Sequence, residues 1–148
     1  MQTRYLLGWR EWVSLPDLGI DEIKCKIDTG AKTSALHAFY IDPFEENGIK
    51  KIRFGIHPKQ DDLTTVLHCV ADVLDRRVVT SSNGEKSTRY VIKTKMQLGE
   101  HTREIELTLT NRDTMRFRML LGRRAMKDFF IVDPSLSYQN GIIFKDKK

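Results

Sequence analysis

The stretch IDEIKCKIDTGA, residues 20 to 31, decides the fold class. Its apolar residues Ile23, Cys25 and Ile27 alternate with polar ones, and this period of two is typical of half-buried β-strands. The alternation runs without a break into the triplet Asp28-Thr29-Gly30, whose small polar residues and glycine favour a tight loop. The stretch therefore predicts a strand that ends in a carboxylate.

The loop after this strand has the residue types that an aspartic peptidase requires. Such an enzyme needs a carboxylate on a tight loop, a hydroxyl that fixes the loop, a glycine where no side chain fits, and then a small residue. Asp28, Thr29, Gly30 and Ala31 follow that order. The triplet alone occurs by chance in about one chain of this length in fifty. A second interpretation therefore stays open, a strand-end β-turn in which Asp28 caps a backbone amide.

Most of the remaining sequence consists of short alternating runs separated by turn residues, a pattern that predicts a mainly β chain. The pair Asn83-Gly84 lies between two extended runs and is a strong signal for a projecting β-hairpin. The segment Arg123 to Phe130 has the length and composition of a short helix. The expected strands are Ile20 to Ile27, Lys50 to Ile56, Val66 to Leu74, Arg76 to Ser81, Ser87 to Lys95 and Ile131-Val132.

The length and composition are those of a globular chain. It has 148 residues, of which 40% are hydrophobic and 30% are charged, and we expect residues 1–148 to form a single domain around one core. No apolar run approaches the roughly 18 to 20 residues that span a bilayer. The N-terminus lacks the basic and apolar segments of a secretion signal. We therefore expect a cytoplasmic protein without a membrane span.

The sequence offers no set of metal ligands. Cys25 and Cys69 are too few for a disulfide framework and do not have the spacing of a zinc ribbon, so both are expected to be buried thiols. The four histidines are scattered, and His68 beside Cys69 is the only adjacent pair of candidate zinc ligands. A glycine-rich phosphate-binding loop is also missing from the sequence. We therefore expect neither a metal nor a cofactor.

Several segments together resemble one bacterial family. They are Leu7 to Val13, Lys26 to Ala38, Arg89 to Ile92, Leu107 to Arg112 and Met119 to Arg123. This pattern is similar to the retropepsin-like aspartic peptidases of the RimB-like family, whose members often carry the label of ATP-dependent zinc proteases. The resemblance runs from Leu7 to Pro134. Because the sequence has neither zinc ligands nor a phosphate loop, it supports neither half of that label.

The resemblance implies a retropepsin-like half-barrel with one short C-terminal helix. In that fold the Asp-Thr-Gly loop packs beside the segment Leu120-Leu121-Gly122. The resemblance assigns Asp28 as the catalytic carboxylate, Thr29 as the hydroxyl that holds the partner subunit's loop, and the next two residues as positions of close approach. It also makes the hairpin residues Val79 to Lys86 a flap over the substrate.

A single motif of this kind predicts a homodimer. One carboxylate cannot both activate the attacking water and donate a proton to the carbonyl oxygen, whereas two carboxyls about 3 Å apart share one proton and divide the two roles. The sequence contains no second Asp-Thr-Gly or Asp-Ser-Gly. A two-fold axis brings identical Asp28 residues together without one. We therefore expect the active site to lie between two copies.

The net charge of +5 favours an acidic partner. Members of the resembled family are associated with trimming glutamate tails from a ribosomal protein, and arginine forks suit carboxylates. The expected substrate is therefore an acidic peptide or a glutamate-tailed protein. The expected substrate-binding residues are Ala31, Lys32, Arg76, Arg77, Arg89 and Arg123, and further basic residues near the expected cleft are Lys26, Arg112 and Arg118. Most of these cations can equally be solvated surface charges.

Two other classes of function stay open at this point. A non-catalytic module of retropepsin fold would bind acidic peptides or a ribosomal partner without cutting them. It would be recognised as a monomer, or as a dimer whose two Asp28 carboxylates lie too far apart to share a proton. A nucleic-acid-binding barrel has only the net charge in its favour, because the sequence does not cluster base-stacking aromatics on one basic strand face.

Overall fold

The computed structural model describes residues 3–80, 83–111 and 116–143. It is mainly β, as the alternating pattern predicted. A 3-10 turn covers Pro16–Leu18, and the helix α1 covers Arg123–Met126. The strands are β1 (Tyr5–Leu7), β2 (Arg10–Leu15), β3 (Ile20–Ile27), β4 (Ser34–His37), β5 (Tyr40–Glu46), β6 (Ile49–Ile56), β7 (Leu67–Asp72), β8 (Asp75–Thr80), β9 (Lys86–Leu98), β10 (His101–Thr110), β11 (Met119–Leu121), β12 (Phe130–Val132) and β13 (Ile142–Ile143).

Six strands close into a ring that carries the Asp-Thr-Gly loop at the end of β3. The largest sheet has the order β10-β4-β11-β3-β2-β9-β8, and β10 pairs additionally with β9. This second pairing joins the strands from β10 to β9 into the ring, while β8 extends from β9 as one arm of a hairpin. On its other edge, away from β10, β9 pairs with β2 at Ser14 and Gln97.

The consecutive strands β3 and β4 do not pair with each other, because β11 lies between them. Strand β11 runs parallel to β3, with Leu121 opposite Ile27, and antiparallel to β4. The connection from residue 28 to residue 33 therefore crosses the end of β11. This crossing brings Asp28 beside Leu121, whose carbonyl accepts a hydrogen bond from the Asp28 amide.

The core lies inside the ring and beneath the sheet formed by β5, β6 and β7. Along β9, burial follows the alternation of apolar and polar residues in the sequence, since Met96 and Leu98 are buried while Lys95 and Gln97 are exposed. Burial of these apolar faces supplies the main driving force for folding. The largest fully buried side chains are Phe54, Leu7, Leu15, Ile20, Ile23, Leu36, Ile52, Ile56, Ile92, Met96, Leu98 and Leu107.

Both cysteines are free and buried, which confirms the expectation of buried thiols. Burial raises the pKa of the Cys25 thiol to about 12 and that of the Cys69 thiol to about 11. The Cys69 thiol donates to the Leu18 carbonyl at 3.4 Å, whereas the exposed His68 ring contacts the Tyr40 hydroxyl at 2.8 Å. Adjacent residues of a strand face opposite sides. His68 and Cys69 therefore do not share a zinc site.

The three-stranded sheet β5-β6-β7 was only partly expected from the sequence. Strands β6 and β7 match the predicted runs closely, but β5 was not predicted. It contains Pro43, which cannot donate to a ladder and is tolerated here because β5 is an edge strand. Asn47 and Gly48 both have left-handed backbone, with φ of 53° and 79°, and they form the two-residue turn of the β5–β6 hairpin.

The predicted helix from Arg123 to Phe130 is wrong in length. Helix α1 ends at Met126, Lys127 has extended backbone with ψ of 136°, and Asp128 has a φ of 72°. The chain then enters β12, where Phe130 pairs with Tyr5 of β1. Pairing with β1 thus outweighs the helical tendency of the last four residues, as tertiary contacts commonly do for short segments.

The projecting hairpin is confirmed. Strands β8 and β9 pair from Asp75 opposite Val91 to Thr80 opposite Lys86. The described residues of the expected flap, residues 79–86, lie at the end of β8, in the turn and at the start of β9, while Ser81 and Ser82 lie outside the described part of the chain. Within the described ranges, no helix is long and apolar enough to cross a bilayer.

Candidate active site

The Asp-Thr-Gly triplet forms a tight loop at the end of β3. The amide of Asp28 donates to the Leu121 carbonyl at 2.9 Å, and the Asp28 carbonyl accepts from the Ala31 amide at 3.2 Å. The carboxylate oxygen Oδ1 of Asp28 accepts from the Gly30 amide at 3.0 Å. The side chain of Asp28 is half-buried, while Thr29 and Gly30 are exposed. The loop thus fixes one carboxylate at an accessible position.

The crossing over β11 requires a glycine at position 122. A Cβ atom there would lie 2.7 Å from the Thr33 carbonyl carbon and 2.9 Å from the Ala31 oxygen, so a side chain would push the loop away. The Gly122 amide donates to the buried Ser34 hydroxyl at 3.0 Å. The amide of Arg123 donates to the Ala31 carbonyl at 2.8 Å. These contacts clamp residues 31 to 34 onto the end of β11.

The Arg123 side chain contacts the loop itself. Its Nη1 donates to the carbonyl oxygens of Thr29 and Gly30, both at 3.1 Å. A guanidinium group presents several donors in a rigid plane, which suits two neighbouring acceptors. Arg123 was expected to bind substrate, and the structure places its guanidinium against the backbone of the loop that carries Asp28. Lys32 is exposed on the same loop, and Ala31 is half-buried.

Arg76 and Arg77 belong to the hairpin and not to the loop. The guanidinium carbon of Arg76 lies 5.0 Å from the centroid of the Tyr90 ring. Arg77 forms ion pairs with Glu106 at 2.6 Å and with Asp75 at 3.0 Å, and these hydrogen bonds raise the pKa of Arg77. Its charge is therefore largely balanced within the chain.

The remaining basic residues differ in their surroundings. Arg89 lies opposite Arg77 in the β8–β9 ladder, and its Nε donates to the Ser87 hydroxyl at 3.1 Å. Arg118 is buried, with 5% of its surface exposed, so it is neither a solvated charge nor part of an open cleft. Lys26 is exposed on the outer face of β3. Arg112 lies outside the described residues.

Ser34 belongs to the site although it was not predicted from the sequence. Its side chain is 1% exposed, its hydroxyl accepts from the Gly122 amide, and its carbonyl accepts from the Thr108 hydroxyl at 3.2 Å. A signal was available, because Ser34 follows the loop directly and opens the apolar strand β4. A hydroxyl at such a buried position usually has a backbone partner.

The described residues hold one carboxyl group at this loop. No other carboxyl group forms a hydrogen bond with Asp28 in the described ranges. In those same ranges, no three side chains of histidine, cysteine, aspartate or glutamate come together as metal ligands. The site as it stands in one chain is a positioned carboxylate on a braced loop.

Comparison with known proteins identifies this arrangement. The family model described as RimB-like, retropepsin-like aspartic endopeptidase RimB, matches residues 6–141. The chain belongs to the RimB-like family. This membership confirms the resemblance drawn from the sequence. The mainly β architecture of the described residues, which contain one short α-helix, agrees with a retropepsin-like fold.

One solved structure has a fold similar to that of this chain. A protein of unknown function from Legionella pneumophila has 30% sequence identity and a TM-score of 0.74, and the match covers 92% of this chain and 98% of that one.

The curated relatives carry a different description. Proteins named "Probable alpha-L-glutamate ligase" match with 48% identity over 136 residues in Shewanella halifaxensis and 45% over 144 residues in Desulfotalea psychrophila. A protein of the same name in Parasynechococcus marenigrum matches with 46% identity over 147 residues. The matches cover 92%, 97% and 99% of this chain but only 30%, 31% and 32% of those proteins. The chain thus spans about a third of the length of these relatives.

Proposed function

We propose that two copies of this chain form an aspartic peptidase that hydrolyses peptide bonds in carboxylate-rich substrates. The observation that carries the proposal is the Asp28 carboxylate, held at an accessible strand end by the loop that crosses β11. The membership of the RimB-like family supports the reaction class. The loop is braced by backbone hydrogen bonds and by Arg123, so the carboxylate is preorganised for chemistry.

A second copy supplies what one chain lacks. Two Asp28 carboxyls around a two-fold axis can share one proton, which leaves one base and one acid. Thr29 is exposed, and its hydroxyl makes no hydrogen bond to the described residues, so it is available to the loop of a second copy. The assembly proposed is therefore a homodimer with both Asp28 loops at its axis.

In the proposed reaction, the ionised Asp28 takes a proton from a water molecule, whose oxygen attacks the peptide carbonyl carbon. The protonated Asp28 of the other copy donates its proton to the carbonyl oxygen at the same time. The gem-diol then collapses as its C–N bond breaks. The first carboxyl gives its proton to the amine nitrogen, and the second takes one from a gem-diol hydroxyl, which restores the starting pair.

The substrate class proposed is a glutamate-rich peptide or protein tail. The net charge of +5 and the exposed Lys32 beside Asp28 favour a negatively charged chain. The relatives named glutamate ligases support the same substrate, because a segment similar to this chain occurs within polypeptides of that name. The hairpin of β8 and β9 is proposed as a flap over this substrate.

The test is cleavage of peptides that share one body and differ in their tails. We expect an octaglutamate tail to be shortened at least about tenfold faster than tails of glutamine or lysine, as followed by mass spectrometry. Sedimentation at the same protein concentration measures the assembly, and a dimer is expected. A folded protein that cleaves none of these peptides but binds the glutamate tail would instead be the non-catalytic module.

Arg123 provides a sharper test of the loop. We expect Arg123→Ala to lower kcat by about 10- to 100-fold with little change in KM, because a small displacement of a catalytic group has effects of that size. Arg123→Lys should recover part of kcat, since its ammonium group can reach one of the two carbonyl oxygens.

The matched control for this variant is Arg124→Ala. It removes the neighbouring exposed arginine, whose side chain makes no hydrogen bond to the Asp28 loop within the described residues. In steady-state kinetics, kcat and KM of this control should stay close to those of the parent protein. A rise in KM alone for Arg123→Ala would contradict the positioning role and favour the substrate-binding role expected from sequence.

A further inference from the structure

The outer face of β2 and β3 carries three neighbouring cations, Arg10, Lys24 and Lys26. These strands pair antiparallel, with Arg10 opposite Lys26 and Trp12 opposite Lys24. Their side chains point away from the core, because the alternating positions, such as Val13, are buried. Neighbouring cations across two strands repel one another unless something balances them.

Aromatic rings lie close to two of these cations, Lys24 and Arg10. The ring of Trp12 lies 6.1 Å from that of Tyr138 in a stacked arrangement. The Nζ of Lys24 lies 5.0 Å from the Trp12 ring and 5.7 Å from the Tyr138 ring. The guanidinium carbon of Arg10 lies 4.6 Å from the Trp9 ring and 4.9 Å from the Tyr138 ring. This cluster was not predicted from the sequence, since Tyr138 comes from a distant segment.

No carboxylate balances the three cations within the described residues. Arg10 donates to the Ser137 hydroxyl at 3.2 Å, and Lys24 donates to the Gln60 side-chain oxygen at 3.1 Å, so both partners are neutral. By contrast, the described Lys51, Arg53, Arg77 and Lys93 each form an ion pair with a carboxylate. Glu11, next to Arg10 in sequence, is fully buried beneath this face. Glu22 is exposed two residues before Lys24, and it makes no ion pair with the three cations within the described residues. Three cations against this one exposed carboxylate leave the surface with more positive than negative charge.

The position of Tyr138 is strained and strongly held. Its φ is 52°, a left-handed conformation that is rare for a bulky residue. Its amide donates to the Arg10 carbonyl at 3.0 Å, and the next two amides, of Gln139 and Asn140, donate to the Glu11 carboxylate at 2.8 Å. Such strain persists where the surroundings fix it, and it is concentrated at functional sites.

This surface leads directly to the candidate catalytic loop. Lys24, Lys26 and Asp28 occupy alternate positions along the same stretch of chain, so Lys26 lies about 7 Å from Asp28 along the strand direction. An extended peptide bound along this face would bring its end to the Asp28 loop.

We infer that Arg10, Trp12, Lys24, Lys26 and Tyr138 form a docking surface for a carboxylate-rich peptide segment, which holds a substrate tail outside the residues being cleaved. This inference deepens the proposed function and rests on it for the identity of the peptide as substrate. Glutamate side chains supply the missing counter-charges. A nucleic acid fits less well, because the cations and the Trp12–Tyr138 stack already cover ring faces that bases would need.

The test measures binding of a fluorescein-labelled octaglutamate peptide by anisotropy, in the 148-residue chain carrying Asp28→Asn so that the probe stays intact. We expect Lys24→Gln with Lys26→Gln to weaken binding about tenfold at low salt, since two ion pairs at the protein surface contribute on that scale. The control, Lys50→Gln with Lys95→Gln, makes the same change in net charge at exposed lysines outside the surface. The affinity of this control for the peptide should stay within about twofold of that of the parent.

Kinetics of the two double variants with Asp28 intact separate this inference from the proposed function. A raised KM for the glutamate tail with unchanged kcat supports docking. Binding that depends on Lys24 and Lys26 in a protein that never cleaves supports the docking surface and contradicts the peptidase. Cleavage with equal binding in both double variants overturns the docking surface alone. Equal or tighter binding of an octathymidylate through the same lysines overturns the peptide in favour of nucleic acid.

Discussion

Replacing Asp28 with asparagine is expected to reduce peptide hydrolysis by at least about 10³-fold, since the proposed dyad loses both its base and its acid. Asparagine has nearly the same shape as aspartate, and its side-chain oxygen can still accept from the Gly30 amide. The loop should therefore keep its form. The measurement is the initial rate of octaglutamate shortening by mass spectrometry, with circular dichroism and sedimentation to verify folding and assembly.

The matched control is Asp21→Asn, which changes an exposed carboxylate at the opposite end of the same strand. It should retain the rate of the parent protein. Retained hydrolysis in Asp28→Asn, with the protein folded and free of contaminating peptidase, would require another catalytic group and would overturn the proposed mechanism.

Mixing the two proteins tests whether the site is shared. If chains exchange freely between dimers, an equal mixture of wild-type and Asp28→Asn protein should show about half the activity per wild-type chain, because half of the wild-type chains then have an inactive partner. Unchanged activity per wild-type chain would mean that one copy works alone. This measurement addresses the homodimer directly, independently of the substrate chosen.

The Asp28 loop was predictable because its signals are local. The alternation of Ile23, Cys25 and Ile27 and the Asp-Thr-Gly triplet are adjacent in sequence, and each constrains the backbone of its own residues. The hairpin around Asn83-Gly84 was predictable for the same reason. The position of the Asp28 loop beside β11 could be predicted only from the family resemblance. It depends on a contact between residues 28 and 121, and no local sequence pattern indicates a contact over that distance.

The features that sequence analysis missed depend on contacts between distant segments. The dipeptide Asn47-Gly48 was a usable signal for the β5–β6 hairpin, but a proline such as Pro43 is unfavourable in a central strand. Only the structure shows that β5 is an edge strand, where proline is tolerated. Helix α1 ended early because Phe130 pairs with β1. The left-handed Tyr138 has no sequence signal, because its conformation is imposed by Arg10 and Glu11 more than 120 residues away.

Glu11→Ala is expected to lower the free energy of unfolding by about 3–5 kcal/mol, the largest effect on stability that we predict. The Glu11 side chain is fully buried, with 0% exposure. Its Oε2 accepts from the amides of Gly8 at 2.7 Å and Gln139 at 2.8 Å, and its Oε1 accepts from the Asn140 amide at 2.8 Å. Removing the carboxylate leaves three backbone donors without their acceptor and opens a cavity between β2 and the C-terminal segment.

Urea denaturation compares this variant with Glu22→Ala, which removes an exposed glutamate of β3 and should change stability by less than about 0.5 kcal/mol. Glu11→Gln should fall between the two, because its amide oxygen can replace one carboxylate oxygen while its NH₂ group faces a donor. If Glu11→Ala were as stable as the Glu22→Ala control, the C-terminal segment would have to be held by other contacts. Since the same carboxylate fixes the backbone around Tyr138, Glu11→Gln should also weaken octaglutamate binding, although it leaves every surface cation in place.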